Sequence, residues 1–216
     1  MSCPYTSPSP SPSPNPLPLS RFRALHPDGR HLIGQWFDRA NQEYEGADGS
    51  VFEAFIFLWF SFNGFASCIT NLDRDAEIIR KVGNCPSLRE KFLQLRADDP
   101  EFDAAVLSFG ESWPIFKVQD LRRRGLLHSG LTERPQLIQH YLGGEAVSHE
   151  PQCFLYHRDR NEAVPLDWPH TLQAAYRVRC NLFHGEKSPT SEMDQRIVVQ
   201  AFTVLSGFLA RTEILT

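Results

Sequence analysis

The segment Tyr176-Arg-Val-Arg-Cys-Asn-Leu-Phe-His-Gly-Glu-Lys-Ser188 gathers two arginines, an asparagine, a histidine and a lysine around the end of a predicted helix. An imidazole, with an unperturbed pKa of about 6.5, passes a proton in either direction near neutrality, which makes His184 the candidate general base or acid. A guanidinium is always charged and offers a planar fork of donors to an oxyanion such as a phosphate. Arg179 is therefore the candidate for stabilising charge that grows on such a group in a transition state. Together the two side chains suit acid–base chemistry at a charged ester.

Spacing restricts how they can cooperate. Arg179 and His184 are five residues apart in the sequence, so on an uninterrupted helix they diverge by roughly 140°. They converge only if the helix ends or distorts near Phe183, or if two chains share one site. Arg177, seven residues from His184, faces the same way as the histidine. A purely structural reading also accounts for the cluster, because basic residues near a helix C-terminus complement its partial negative charge and Gly185 is a natural stop signal.

Arg179-Cys-Asn-Leu-Phe-His184 fits the pattern R-x4-H, and the longer phrase VRCNLFHGEKS is similar to the V-R-[NC]-N-L-F-H-G-x-K-S form frequent in the HEPN superfamily. Trp59-Phe-Ser-Phe-Asn63 resembles the W-x-x-[FL]-N segment of one bacterial group of that superfamily. The resemblance covers about Leu32 to Asn71 and Trp168 to Leu215, whereas the stretch from about Leu72 to Pro165 aligns to nothing. Cys180 is a departure, since Asn, Asp or His often follows the motif arginine in the family.

The resemblance implies an up-and-down helical bundle that forms a homodimer, with two R-x4-H motifs facing each other across a cleft. It also implies metal-independent endoribonuclease activity, in RNA processing, toxin–antitoxin or phage-defence systems, with no cofactor and with an antitoxin protein as a further partner. Other members are inactive or bind nucleotides, so a silent module that binds RNA, a nucleotide or a protein is the alternative. In an active dimer the RNA's own 2′-hydroxyl would attack, with one His184 as base and its mate as acid. Asn181 and Asn63 would orient the phosphate or the histidine, with Tyr176 beside them, although an asparagine satisfying helix backbone explains Asn63 equally well. Lys187 and Arg177 would touch the RNA backbone or serve as solvated charge. Arg122-Arg-Arg124, the densest basic run, would extend that track or simply end a helix.

These residues need a scaffold, and hydrophobic periodicity supplies one. His31 to Tyr44 places Leu32, Trp36, Phe37, Ala40 and Tyr44 towards one side of a helix. Ser50 can cap a second, from about Val51 to about Asn71, which is apolar on nearly all sides and therefore central. Shorter helices are expected over Arg74–Val82, Leu88–Arg96 and Glu101–Phe109, punctuated by Pro86, Pro100 and Pro114. Ile115–Gly125 and Pro135–Leu142 are further helix candidates, and Cys153 to Leu166 reads as a small hairpin. Asp167 or Thr171 can cap the helix that carries the motif, whose core stripe is Leu172, Ala175, Tyr176 and Leu182. Its stop falls at Gly185, with His184 at or just beyond the last turn. A final helix, Glu192 to Ile214, shows Ile197, Ala201, Val204, Leu205 and Phe208 at helical spacing. The expected class is all-α, a helical bundle with irregular insertions, residues 21–216 forming one domain behind a Ser/Pro-rich tail over residues 1–20.

Composition agrees with a globular domain, at 41% hydrophobic and 22% charged residues. The net charge of −4 does not announce a nucleic-acid partner, so any such site must be a local patch. Seven of the sixteen prolines lie between Pro4 and Pro18, which predicts an extended or disordered leader. The five cysteines are scattered without a C-x-x-C pair, favouring reduced thiols and a cytoplasmic setting over disulfides or zinc. No apolar signal region opens the chain, and Glu53, Ser61, Asn63 and Ser67 interrupt the longest apolar run, so a bundle helix is expected there and no membrane partner. His157-Arg-Asp159 lacks the asparagine a kinase catalytic loop needs, and no phosphate-loop, dinucleotide or H-E-x-x-H motif occurs.

Overall fold

The computed structural model describes residues 17, 19–123, 138–141, 147–212, 214 and 215. Among them the chain is mostly helical, with α1 Ser20–Arg23, α2 Pro27–Glu45, α3 Val51–Thr70, α4 Asp75–Gly83, α5 Pro86–Asp98, α6 Pro100–Glu111, α7 Val118–Arg123, α8 Phe154–Arg158, α9 Trp168–Phe183 and α10 Glu192–Arg211. Two short strands, β1 Ile115–Phe116 and β2 His149–Glu150, pair antiparallel with Ile115 opposite Glu150.

Local chemistry sets most boundaries. Ser50 accepts a hydrogen bond from the Glu53 amide at the start of α3, and Asp167 accepts one from His170 at the start of α9. Pro86 and Pro100 occupy first-turn positions, where a missing N–H costs no helical bond. The α3 helix is central. Phe55, Leu58, Trp59, Phe62 and Phe65 are all buried along it, α2 lies against one side, and α10 packs on both α3 and α6. Gly64 permits the close approach of α2, since a Cβ there would meet Ile33 at 2.9 Å. By length and apolarity α3 could cross a membrane, and 56% of its most apolar window is buried within the bundle, as a central helix requires. At the other end of the core Phe92 sits among Phe102, Trp168 and Phe208, with ring centroids 5.4, 5.5 and 5.6 Å away.

Three sequence expectations need correction. The hairpin expected from Cys153 onward is a helical turn instead: Cys153 and His157 are both buried, so inward positions recur at a spacing of four rather than two. The helix expected from Ile115 begins only at Val118, because Ile115 and Phe116 pair with β2 across a sequence gap no local pattern reveals. On α2 the expected stripe holds in its middle and fails at its ends. Ala40 is buried and Phe37 packs against the core as expected, but Ile33 faces inward in place of Leu32, which is 53% exposed, and Tyr44 is 41% exposed. The last helix matches its expected stripe, with Ile197, Ala201, Val204, Leu205 and Phe208 all buried. Leu17, placed with the tail, is buried against the core. Of the Pro135–Leu142 candidate helix, residues 138–141 are helical and the rest lie outside the described residues, as do residues 1–16.

Candidate functional site

Helix α9 crosses the molecule between α4 on one side and the β1–β2 pair on the other, and its last turns carry the motif. It ends as expected. Gly185 adopts φ +67°, its N–H donates to the Leu182 carbonyl at 3.0 Å, and the Glu186 N–H donates to the Asn181 carbonyl at 2.9 Å. This paired arrangement satisfies the helix's last carbonyls and needs a left-handed residue at that position. His184 is the capping residue and its side chain is exposed.

Arg179 points to the other side. Its guanidinium lies 3.0 Å from the Asp75 carboxylate in the first turn of α4, with its carbon 4.3 Å from the Phe183 ring centroid and 5.8 Å from that of Trp59. An arginine over aromatic faces is held by cation–π attraction as well as by its ion pair. The Nε has no hydrogen-bond partner, nor do the nearby Trp59 indole N–H or the side-chain oxygen of Asn63, one turn further along α3. Tyr176 stacks on Trp59 at 5.9 Å. Burial, reinforced by the neighbouring Cys180 and Asp75, pushes its phenol up to about 12, so it is a neutral donor at physiological pH. Arg179, Tyr176 and Trp59 thus form one cluster. Among the described residues no hydrogen bond or ion pair joins Arg179 to His184.

The aromatic edge beside this cluster is open to solvent. Phe60 on α3 and Phe183 on α9 meet edge to face at 6.3 Å and are 39% and 43% exposed, and Trp36 on α2 packs against Phe60 at 5.2 Å.

Three other sequence candidates have structural partners. Asn181 is buried. Its amide donates to the Phe116 carbonyl at 2.8 Å and accepts from the Val118 N–H at 3.4 Å, so it anchors the join between β1 and α7. Lys187 is almost fully buried, 2.6 Å from Asp194, whose second oxygen accepts from the Ser188 N–H. Arg177 lies 3.8 Å from Glu150 on β2. Of the basic run, Arg122 lies 3.6 Å from the buried Glu186, Arg123 is exposed, and Arg124 lies outside the described residues.

Two carboxylates the sequence reading missed stand opposite the two arginines: Asp75 against Arg179 and Glu150 against Arg177. Each is far from its partner in sequence, and nothing local marks either. Among the described residues no three His, Cys, Asp or Glu side chains converge as a metal site. No family model, curated protein or solved structure matches the chain significantly.

Proposed function

We propose that the chain is a metal-independent endoribonuclease of HEPN type, acting as a cytoplasmic homodimer in a toxin–antitoxin or phage-defence setting. The observation that carries this reading is the placement of Arg179 and His184 at the end of α9, beside the exposed Phe60–Phe183 edge. The two motif side chains diverge within one protomer, so a single chain lacks a convergent pair. A second copy packed on the aromatic edge would bring the two helix ends together and supply each group twice.

In such a site a neutral His184 takes the proton of the RNA 2′-hydroxyl as that oxygen attacks the adjacent phosphorus. The partner's His184, protonated, gives its proton to the departing 5′-oxygen as the phosphorus–oxygen bond breaks. Arg179 binds the non-bridging oxygens, whose charge grows in the transition state. The products are a 2′,3′-cyclic phosphate and a free 5′-hydroxyl.

The test is cleavage of a mixed RNA pool with EDTA present, comparing the natural protein with His184→Ala and Arg179→Ala. The reading requires cyclic-phosphate ends that vanish in both variants. A folded dimer that leaves RNA intact would count against it.

The Arg179–Asp75 ion pair favours a second reading, because a carboxylate already occupies the guanidinium that would hold the phosphate. In that case the chain is a catalytically silent module that binds RNA, a nucleotide or a partner protein through the same face.

A further inference from the structure

The chain leaves the motif helix at His184 and enters α10 at Glu192. Between these points its backbone is pinned from two neighbouring elements. Lys187 turns inward, with 6% of its side chain exposed, and its Nζ lies 2.6 Å from Asp194 Oδ1 in the first turn of α10. The other oxygen of Asp194 accepts the Ser188 N–H at 2.9 Å. The Asp194 N–H in turn donates to the hydroxyl oxygen of Ser191, the N-cap of α10. One carboxylate therefore holds two consecutive residues, and its negative charge suits the positive end of the helix. Ile197 and Val198, one turn further along α10, are buried in the main core, so the anchor is itself fixed. On the other flank Glu186, with 2% of its side chain exposed, faces Arg122 of α7 at 3.6 Å. Its N–H closes the turn on the Asn181 carbonyl.

His184 is the opposite case. Its side chain is exposed, and among the described residues its imidazole has no hydrogen bond or ion pair. The protomer therefore controls the place of the ring only through the backbone beneath it. A group that must take or give a proton at fixed atoms loses on the order of a hundredfold in rate when it is displaced by about 1 Å. Exposed reacting groups accordingly need a rigid mount, held by residues that do not touch the substrate. The burial of Lys187 against Asp194 favours such an internal role over the RNA-backbone contact that its charge suggests.

We propose that Lys187 and Asp194 are positioning residues, whose ion pair fixes the path of the backbone on which His184 stands. The consequence for catalysis rests on the ribonuclease reading. There the pair acts on the rate of proton transfer and not on the affinity for RNA, because the ammonium is turned away from solvent. A lysine that touched a phosphate would behave in the opposite way, contributing to binding and adding about one to its salt dependence.

Two variants of the full chain test this. Lys187→Met removes the charge and keeps an unbranched apolar stem, while Asp194→Asn keeps one acceptor for Lys187 and serves if the first variant does not fold. On a labelled RNA oligonucleotide that the natural protein cuts, each is expected to lower kcat by about tenfold to a hundredfold while KM stays within about twofold. The double variant should be no slower than the slower single one, since both remove the same interaction. An unchanged kcat overturns the proposal. A raised KM at constant kcat, with the salt slope of binding reduced by about one, does so too and makes Lys187 an RNA contact. Hydrogen exchange asks the question without cleavage. The amides of Gly185 and Glu186, which close the end of α9, should exchange at least about tenfold faster in both variants, with those of α3 unchanged. Equal acceleration throughout α3 would mean a pair that only stabilises the fold, and unchanged rates at Gly185 and Glu186 would mean no hold on this backbone; either result overturns the assignment. If the natural protein cuts no RNA, exchange alone decides: acceleration confined to Gly185 and Glu186 leaves the pair assigned while sinking the ribonuclease reading.

Discussion

The Asp75 carboxylate lies 3.0 Å from the guanidinium of Arg179 and ties the arginine of the R-x4-H motif to the first turn of α4. The pair is partly exposed, with 21% of the Arg179 side chain and 28% of the Asp75 side chain accessible, so its net worth is about 1 kcal/mol or less. An incoming phosphate would compete with Asp75 for the same donors. Asp75→Asn is expected to tighten RNA binding severalfold at low salt and to change the unfolding free energy by less than about 1 kcal/mol. Fluorescence anisotropy with labelled RNA reads the first effect and urea denaturation the second. Weaker RNA binding by the folded variant would show that Asp75 positions the arginine instead of competing for it.

The two motif residues should separate in their effects on folding. His184 is an exposed cap, so His184→Ala is expected to shift stability by no more than about 0.5 kcal/mol. Arg179→Ala removes an ion pair and a stack over Phe183, and is expected to cost about 1–2 kcal/mol. Thermal melts of the two variants check this order. If His184→Ala proves the more destabilising, loss of cleavage in that variant could not be assigned to chemistry.

Asn181 belongs to the fold. Replacing it with alanine strands the Phe116 carbonyl and the Val118 N–H beneath the bundle surface, a loss on the order of 2–3 kcal/mol. Denaturant unfolding gives the magnitude, and hydrogen exchange at the Val118 amide should quicken. A variant as stable as the natural protein would show that the β1–α7 junction does not depend on this amide.

Glu150 should leave a signature in pH. Burial outweighs the neighbouring Arg177 and pushes its carboxyl from 4.5 up to about 7. The folded chain therefore binds this proton more tightly than the unfolded chain does. The stability linked to the proton is fully present below about pH 4.5 and is lost as pH rises through about 7. The shift corresponds to a swing of up to about 3 kcal/mol. Glu150→Gln cannot ionise, so its stability relative to the natural protein should improve between pH 4.5 and pH 8. Denaturation of both proteins across that range measures the difference, in which the other titrating groups cancel. A difference that stays flat with pH would mean that Glu150 titrates normally.

The sequence revealed this molecule unevenly, for physical reasons. Helices whose ends carry their own chemistry were legible: Ser50 and Asp167 cap, Pro86 and Pro100 open first turns, and Gly185 stops α9. So was a long amphipathic stripe such as that of α10. A two-residue strand pair between Ile115–Phe116 and His149–Glu150 has no such local mark, because its partners are brought together only by the fold. On α2, apolar residues occur on more than one side, so spacing alone did not choose between Leu32 and Ile33. The arginines of the candidate site were visible as residue types. Their carboxylate partners were not, since Asp75 and Glu150 reach α9 through long-range packing.

The clasp between β1 and β2 also has a meaning for how this chain can change. Phe116 and His149 lie opposite each other in that pair, with Asn181 of α9 bonded to β1 and Arg177 of the same helix facing Glu150 on β2. Among the described residues, Leu121, Tyr141 and Val147 form a small cluster of their own, apart from the main core. The strand pair and the motif helix are therefore fastened at two points, and a change at β1, α7 or β2 is carried to α9 through Asn181 and Arg177.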